Sequence, residues 1–324
     1  MSKILIDPFG CDHPDEMILG VAKAINSIDG VELAVVGDRE YIERRLESVS
    51  FDRSRLEIIN ASEVITCEDS PVRSIRQKKD SSLVVAYDSM REREDLPILI
   101  TAGNSGAVIA GAMLVLGRDH RDDIPTLVSM LPTDKGGVAC LADCGANVDC
   151  RPENIVKYAK YASDYMHRVY GIESPRVALL SVGTEDTKGN TQTKETFALL
   201  KETELNFVGN MEARTALTGD VDVIVTDGFA GNVLLKTIEG TAKSVGRLMV
   251  GSLKRNLPEG TDPSFINKVL ADLNSTLDFN TMGGGIILGV KKPIIKAHGA
   301  ANIDTVVNTV KQAIRIITSG RGLG

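Results

Sequence analysis

The sequence predicts an α/β protein with a doubly wound, mostly parallel sheet. Short, almost wholly apolar runs recur along the chain, among them KILID (3–7), VELAVVG (31–37), PILI (97–100) and RVALLSV (176–182). Each is followed by a stretch with helical spacing. Strands that read as continuous apolar runs are buried on both faces, as happens when crossover helices cover a parallel sheet. Polar, glycine-bearing turns mark the passage from strand to helix, where such sheets bind ligands.

The run 3–7 is the first strand, and apolar spacing over 14–26 predicts a helix behind it. Residues 31–37 and 56–60 are strands flanking a charged helix over 39–47. Residues 71–94 read as one long helical stretch, and PILI follows. Residues 126–131 and 138–143 form two strands joined by a turn at 134–137. Alternation resumes with a helix over 153–169, a strand at 176–182, a helix over 193–202 and a short strand at 206–209. A strand at 221–227 and a helix over 233–250 come next, then a late strand at 293–298 and a helix over 303–318. Between 251 and 279 the alternation breaks, while Phe265, Ile266, Val269, Leu270 and Leu273 keep helical spacing. The stretch 240–279 is therefore expected to form a helical hairpin projecting from a single unit that spans 1–324. No repeat, low-complexity tract or linker divides that unit.

Trp is absent and aromatic residues are 4% of the chain, so the core must be aliphatic. A net charge of −7 disfavours nucleic acid as a partner, because such binders carry a basic face. No apolar run approaches the roughly 20 residues of a membrane-spanning helix. The opening MSKILID enters a strand directly, so no signal peptide is expected. Five cysteines show no C-x2-C pair, and Cys140, Cys144 and Cys150 have no histidine beside them. Free thiols in a cytoplasmic protein are the expectation, with no metal site.

Five strands end in glycine-bearing turns: DPFGCDH (7–13), AGNSG (102–106), DCGANVD (143–149), GTEDTKGN (183–190) and DGFAGN (227–232). In a parallel sheet all five crowd onto one edge. Glycine lets backbone N–H groups approach a ligand, and helix N-termini favour anions. The set predicts a cradle for phosphate or for a developing oxyanion. The chain lacks G-x-x-x-x-G-K-[ST], and GGGIILG (283–289) lacks the strand-before, helix-after setting of a dinucleotide fingerprint. AGNSG is not G-x-S-x-G, and with four histidines no Ser–His–Asp set stands out. The site is expected to hold anions rather than to form a covalent intermediate.

These motifs resemble the PlsX family, the phosphate:acyl-ACP acyltransferases of bacterial phospholipid synthesis. The resemblance rests on TAGNSGA, LPT (131–133), DCGANVD, VGTEDTKGN, FVGNMEAR (207–214) and VTDGFAGNVLLKTIEG (225–240). The opening IDPFGCDHP, the stretch SPVRSIRQKKDSSL (70–83) and KAHG (296–299) match the family as well, so the likeness runs nearly end to end. It implies an architecture related to phosphotransacetylases and to isocitrate and isopropylmalate dehydrogenases, usually as a homodimer. It implies that inorganic phosphate attacks an acyl thioester on acyl carrier protein, with no metal or other cofactor.

The resemblance implies roles for residues in the turns. Backbone N–H groups of Gly103, Ser105, Gly106, Gly145 and Gly228 would hold phosphate or oxyanion, with the Asn104 and Asn147 amides beside them. Lys188 and Lys236 would neutralise phosphate, Asn232 would orient it, and His298 or His13 would protonate the leaving thiolate. Asp7, Asp12, Asp143, Glu185 and Asp227 would fix the loops. Arg73, Arg76 and Lys79, at helical spacing, would dock the acidic carrier protein. The chain departs from the family pattern at Phe9, Cys11, Ile124, Met282 and Ala300, all at or near motif loops. The family touches membranes through its projecting helices, and the corresponding tip here, NLPEGTDPSF, is polar, which gives weak peripheral contact little support. Two alternatives stay open: a PlsX-like subunit acting on another thioester, and a non-catalytic paralogue that binds phosphate or carrier protein.

Overall fold

The computed structural model describes residues 2–118, 122–256, 258, 262, 264–266, 268–269 and 283–319. Strands β1 (Ile4–Asp7), β2 (Leu33–Gly37), β3 (Leu56–Asn60) and β4 (Ile98–Thr101) form the first block. Helices α1 (Pro14–Ser27), α2 (Arg39–Leu46), α3 (Pro71–Gln77) and α4 (Ser82–Glu92) lie between them. After β4, α5 (Ser105–Gly111) runs into a π-helical turn at Ala112–Leu116. Strands β5 (Thr126–Pro132) and β6 (Val138–Ala142) make a hairpin. The second block adds α6 (Pro152–Tyr170), β7 (Val177–Ser181), α7 (Thr191–Lys201), β8 (Phe207–Glu212), β9 (Val223–Val225) and α8 (Gly228–Asn256). Then come β10 (Gly285–Leu288), β11 (Ile294–Lys296) and α9 (Ile303–Ser319).

These strands form one sheet in the order β3-β2-β1-β4-β11-β10-β5-β6-β9-β7-β8. Its apolar runs split as strand geometry requires, successive side chains pointing to opposite faces. Ile4 and Ile6 pack with Met17, Val21 and Val306 under α1 and α9, while Leu5 packs with Leu83, Tyr87 and Val108 under α4 and α5. All of these are buried, and each such aliphatic side chain contributes roughly 1.5–3 kcal/mol.

The sheet is mostly parallel, but it corrects the expectation that all five turns share one edge. Strands β1, β2, β3, β4 and β11 run one way. Strands β6, β7, β8 and β9 are parallel among themselves. Between the blocks lie β10 and β5, each antiparallel to both neighbours, so the second block runs opposite to the first. The reversal was invisible in the sequence because β10 falls in GGGIILG, whose glycines hid a strand.

Register explains how opposed edges still build one site. Asp7 pairs with Thr101, Thr101 with Lys296, and Lys296 with Gly285. Ala142, the end of β6, pairs with Val128, which pairs with Ile286, the neighbour of Gly285. The carboxyl ends of β1, β4, β11 and β6 thus lie within one residue of a common level at the centre of the sheet.

Three further expectations change. The stretch 71–94 is two helices, because residues 78–81 are diverted into loop contacts. Lys78 Nζ donates to the Val64 carbonyl and to Asp69, and Ser81 forms a bridge with Glu63. Strand β8 runs to Glu212 rather than 209. DGFAGN is not a turn before a helix but lies largely within α8, which starts at Gly228. Beyond residue 240 no described side chain of α8 is buried, and Val245, Leu248 and Met249 are exposed. Residues 264–266 and 268–269 are helical; most of the remaining expected hairpin, and Met282, lie outside the described residues. Among the described residues no helix is long and apolar enough to cross a membrane.

Candidate active site

At the junction of the two blocks, a cavity of ≈ 330 Å³ lies on the sheet face covered by α5 and α8. Its floor is made by Leu127 and Ser129 of β5, Gly285 of β10 and Lys296 of β11. The walls are Ser105 at the start of α5, Cys144 after β6, and Asn232, Lys236 and Glu239 of α8. Asn232, Lys236 and Glu239 are spaced i, i+4, i+7 and so share one helical face. His298 and Gly299 form the rim after β11.

The second-block side is held by a carboxylate hub. Buried Asp143 accepts from the backbone N–H groups of Leu127 (2.9 Å), Ala146 (3.1 Å) and Asn147 (2.6 Å). The Asn147 amide also donates to Asp143 (3.1 Å) and to the Pro125 carbonyl (2.7 Å). Asp227 accepts from the Ala230 N–H (2.9 Å) and so caps α8. The glycines of these turns serve chain-to-chain contact. A β-carbon at Gly231 would lie 1.9 Å from the Asp143 carbonyl oxygen, and one at Gly145 would lie 2.7 Å from the Asn232 amide. With that contact made, the Asn232 amide donates to the Cys144 carbonyl at 3.1 Å.

Charge in the cavity is mainly basic. Lys236 pairs with Glu239 at 2.8 Å. Lys296 donates from Nζ to the carbonyls of Ala102 (3.2 Å) and Ala297 (2.6 Å). Burial lowers its pKa to about 8. Burial and the nearby Lys236 charge also lower His298, so its imidazole is neutral at pH 7. Its Nδ1 accepts from the Ala300 N–H (3.3 Å), which places the ring proton on Nε2. Burial pushes the Cys144 thiol well up, so that sulfur stays protonated and is no ready nucleophile.

Of the residues singled out in the sequence, Ser105, Asn232, Lys236 and His298 meet in the cavity. Others have different surroundings. Asn104 caps α5, accepting from the Ala107 N–H (3.1 Å) and donating to the Cys67 carbonyl (3.1 Å). Gly103 is buried against the Phe9 carbonyl, and a β-carbon at Gly106 or Gly228 would strike Pro71 or the Asn147 carbonyl. Asp7 is buried, accepts from Phe9 N–H and Thr101 Oγ1, and is raised by burial to about 6. Asp12 donates its N–H to the Gly299 carbonyl, and His13 is exposed at the start of α1. Lys188 and Glu185 are exposed in the fourth turn and do not line the cavity. Their strand, β7, lies beyond β6 and β9 in the strand order, which sets the turn farther from the junction. Arg73, Arg76 and Lys79 are exposed along α3 and just after it.

Sequence reasoning passed over Lys296, Ser129, Glu239 and the glycines before β10. Lys296 stood in plain view in KAHG, at the end of a late strand. The departure at Phe9 is explained by packing: its ring fills the space over Gly37 and meets Tyr41 edge-on at 5.9 Å. Replacing Asn104 by alanine is expected to cost about 1 kcal/mol through loss of the cap, measurable by denaturant melts.

The fold defines a class, the α/β architecture found in phosphotransacetylases. The EutD phosphotransacetylase from Staphylococcus aureus shares the fold, with a TM-score of 0.59 at 18% identity over 98% of this chain and 93% of that one. The chain belongs to the Fatty acid synthesis protein family, the PlsX family of the resemblance, whose model matches residues 2–321. A relative from Geobacillus sp. strain WCH70, called Phosphate acyltransferase, is 42% identical over 319 residues, covering 98% of this chain and 95% of its own. Another of that name, from Clostridioides difficile strain 630, is 40% identical over 314 residues, covering 97% and 92%.

Proposed function

We infer that this protein is an enzyme, a phosphate acyltransferase that moves a fatty acyl group from acyl carrier protein to inorganic phosphate. The observation that carries the reading is the cavity: two lysines and a neutral histidine face one carboxylate in a chain of this family. Inorganic phosphate is an oxyanion nucleophile and needs cationic surroundings. Its oxygen bonds to the thioester carbonyl carbon, the carbon–sulfur bond breaks, and the carrier leaves as a thiol. The proton on sulfur balances the one that phosphate gives up. Lys236 offsets phosphate charge, and the Nε2–H of His298 faces the developing oxyanion or the leaving sulfur. With Cys144 protonated, direct attack by phosphate is favoured over an acyl-cysteine intermediate.

Exposed Arg73 and Arg76 on α3 support docking of an acidic carrier, since Pro71 at the head of that helix touches the first turn of α5 beside Ser105. Reversing both charges is expected to raise the KM for acyl carrier protein about tenfold, with less effect at high salt. An unchanged KM would move the dock elsewhere. Val245, Leu248 and Met249, three and four apart on α8, form an apolar stripe that supports a homodimer, with weak membrane contact as its other use. A cytoplasmic location fits the free thiols.

The test is direct. Purified protein, long-chain acyl carrier protein and inorganic phosphate are mixed, and hydroxylamine traps acyl phosphate for mass readout. Phosphate-dependent hydroxamate supports the reading. A folded protein that yields none with this donor, but does with a short acyl-CoA, would shift it to another thioester. No product with either would point to a binding role.

A further inference from the structure

Lys236 and Lys296 share the cavity but differ in company. Lys236 is ion-paired to Glu239, whereas among the described residues Lys296 makes no ion pair. The Lys296 ammonium spends two of its three hydrogens on the carbonyls of Ala102 and Ala297. Those carbonyls are neutral and leave the charge unbalanced. A half-buried cation with no carboxylate in contact is costly, which implies that its anion arrives from outside.

Position points the same way. Lys296 lies in the central row of the sheet between Thr101 and Gly285. Thr101 spends its hydroxyl on Asp7, and Gly285 has no side chain to cover the ammonium. Other groups near enough to act on the charge are Cys11 and Asp12 of the β1–α1 turn and Cys67 before α3, with Lys236 of α8. Asp7 and His298 feel it as well. Asp7 is already engaged by Phe9 and Thr101.

We propose that Lys296 binds the phosphate nucleophile, donating its third hydrogen to a phosphate oxygen and supplying the charge that Glu239 takes from Lys236. The proposal rests on the acyl-transfer reading of the cavity and adds the residue that holds the acceptor. Burial sets this lysine to titrate near 8, so phosphate binding is expected to weaken as pH rises through that value. An ordinary lysine would keep its charge to about 10.4.

Two measurements test it, and neither needs an acyl donor. In wild-type protein, reductive methylation with peptide mass readout should show Lys296 protected by inorganic phosphate, while exposed Lys201 reacts equally with and without it. Equal labelling of Lys296 overturns the proposal. In thermal melts, phosphate should raise the Tm of wild type but not of Lys296→Met, with Lys296→Arg in between. A full phosphate shift in Lys296→Met, or none in wild type, also overturns it. If acyl phosphate forms, Lys296→Met should raise the KM for phosphate about tenfold to a hundredfold. An unchanged KM refutes the role of Lys296 alone. Protection of Lys296 without any acyl phosphate refutes the acyl-transfer reading and leaves the phosphate site standing.

Discussion

Replacing Lys236 by methionine is expected to lower acyl phosphate formation roughly a hundredfold, the usual effect of removing a group that stabilises charge in the transition state. Two changes combine. The cavity loses a cation, and Glu239, which Lys236 holds at 2.8 Å, is left as a bare carboxylate facing the incoming phosphate. The double variant Lys236→Met/Glu239→Gln should therefore recover part of the loss, chiefly in the KM for phosphate. Steady-state kinetics on the three proteins decide the matter. If Lys236→Met kept full activity, this lysine would be a solvated side chain of α8 and the cavity would work through Lys296 and His298.

The second large effect concerns stability. Gly231→Ala is expected to cost about 3 kcal/mol, the upper end for forcing a group into packed structure. Its new β-carbon would lie 1.9 Å from the Asp143 carbonyl oxygen, and backbone cannot rotate away as a side chain can. The head of α8 must shift, carrying Asn232 and Lys236 out of place, so activity should fall with the Tm. Calorimetry supplies the check, with Gly240→Ala as its contrast. That glycine lies in the same helix with nothing within 4 Å, so alanine there should stabilise by roughly 0.5–1 kcal/mol. Equal melting of the two variants would mean that the contact between α8 and the β6–α6 turn is slack.

Much of the architecture was legible because buried parallel strands announce themselves. KILID, VELAVVG and VDVIVTD all read correctly as strands, since aliphatic runs bounded by polar turns have few other uses. The strand direction was not legible. Nothing in the composition of 126–142 says that this hairpin turns the second block over, and the glycines at 283–285 masked β10. The packing role of glycine was not legible either. At 145, 228 and 231 it lets the head of α8 touch the β6–α6 turn, and this contact alone requires the missing side chains. Lys188 looked equivalent to Lys236 by motif, yet only Lys236 reaches the cavity, because helix phase and strand order decide where a side chain ends. Lys296 has the opposite history. It stands in KAHG, yet it becomes conspicuous only when register sets it in the middle of the sheet with no carboxylate in contact.

The position of β10 and β11 has a consequence for how the chain is made. These strands come from residues 285–296, yet they wedge between β4 and β5, which are complete by residue 132. During synthesis both blocks leave the ribosome long before the segment that joins them. Until it emerges, the inner edges of β4 and β5 are unpaired and open to the wrong neighbours. Nascent chains arrested before residue 285 should accordingly be held by chaperones or aggregate. Release of residues 285–296 should close the sheet and create the floor of the cavity in the same event.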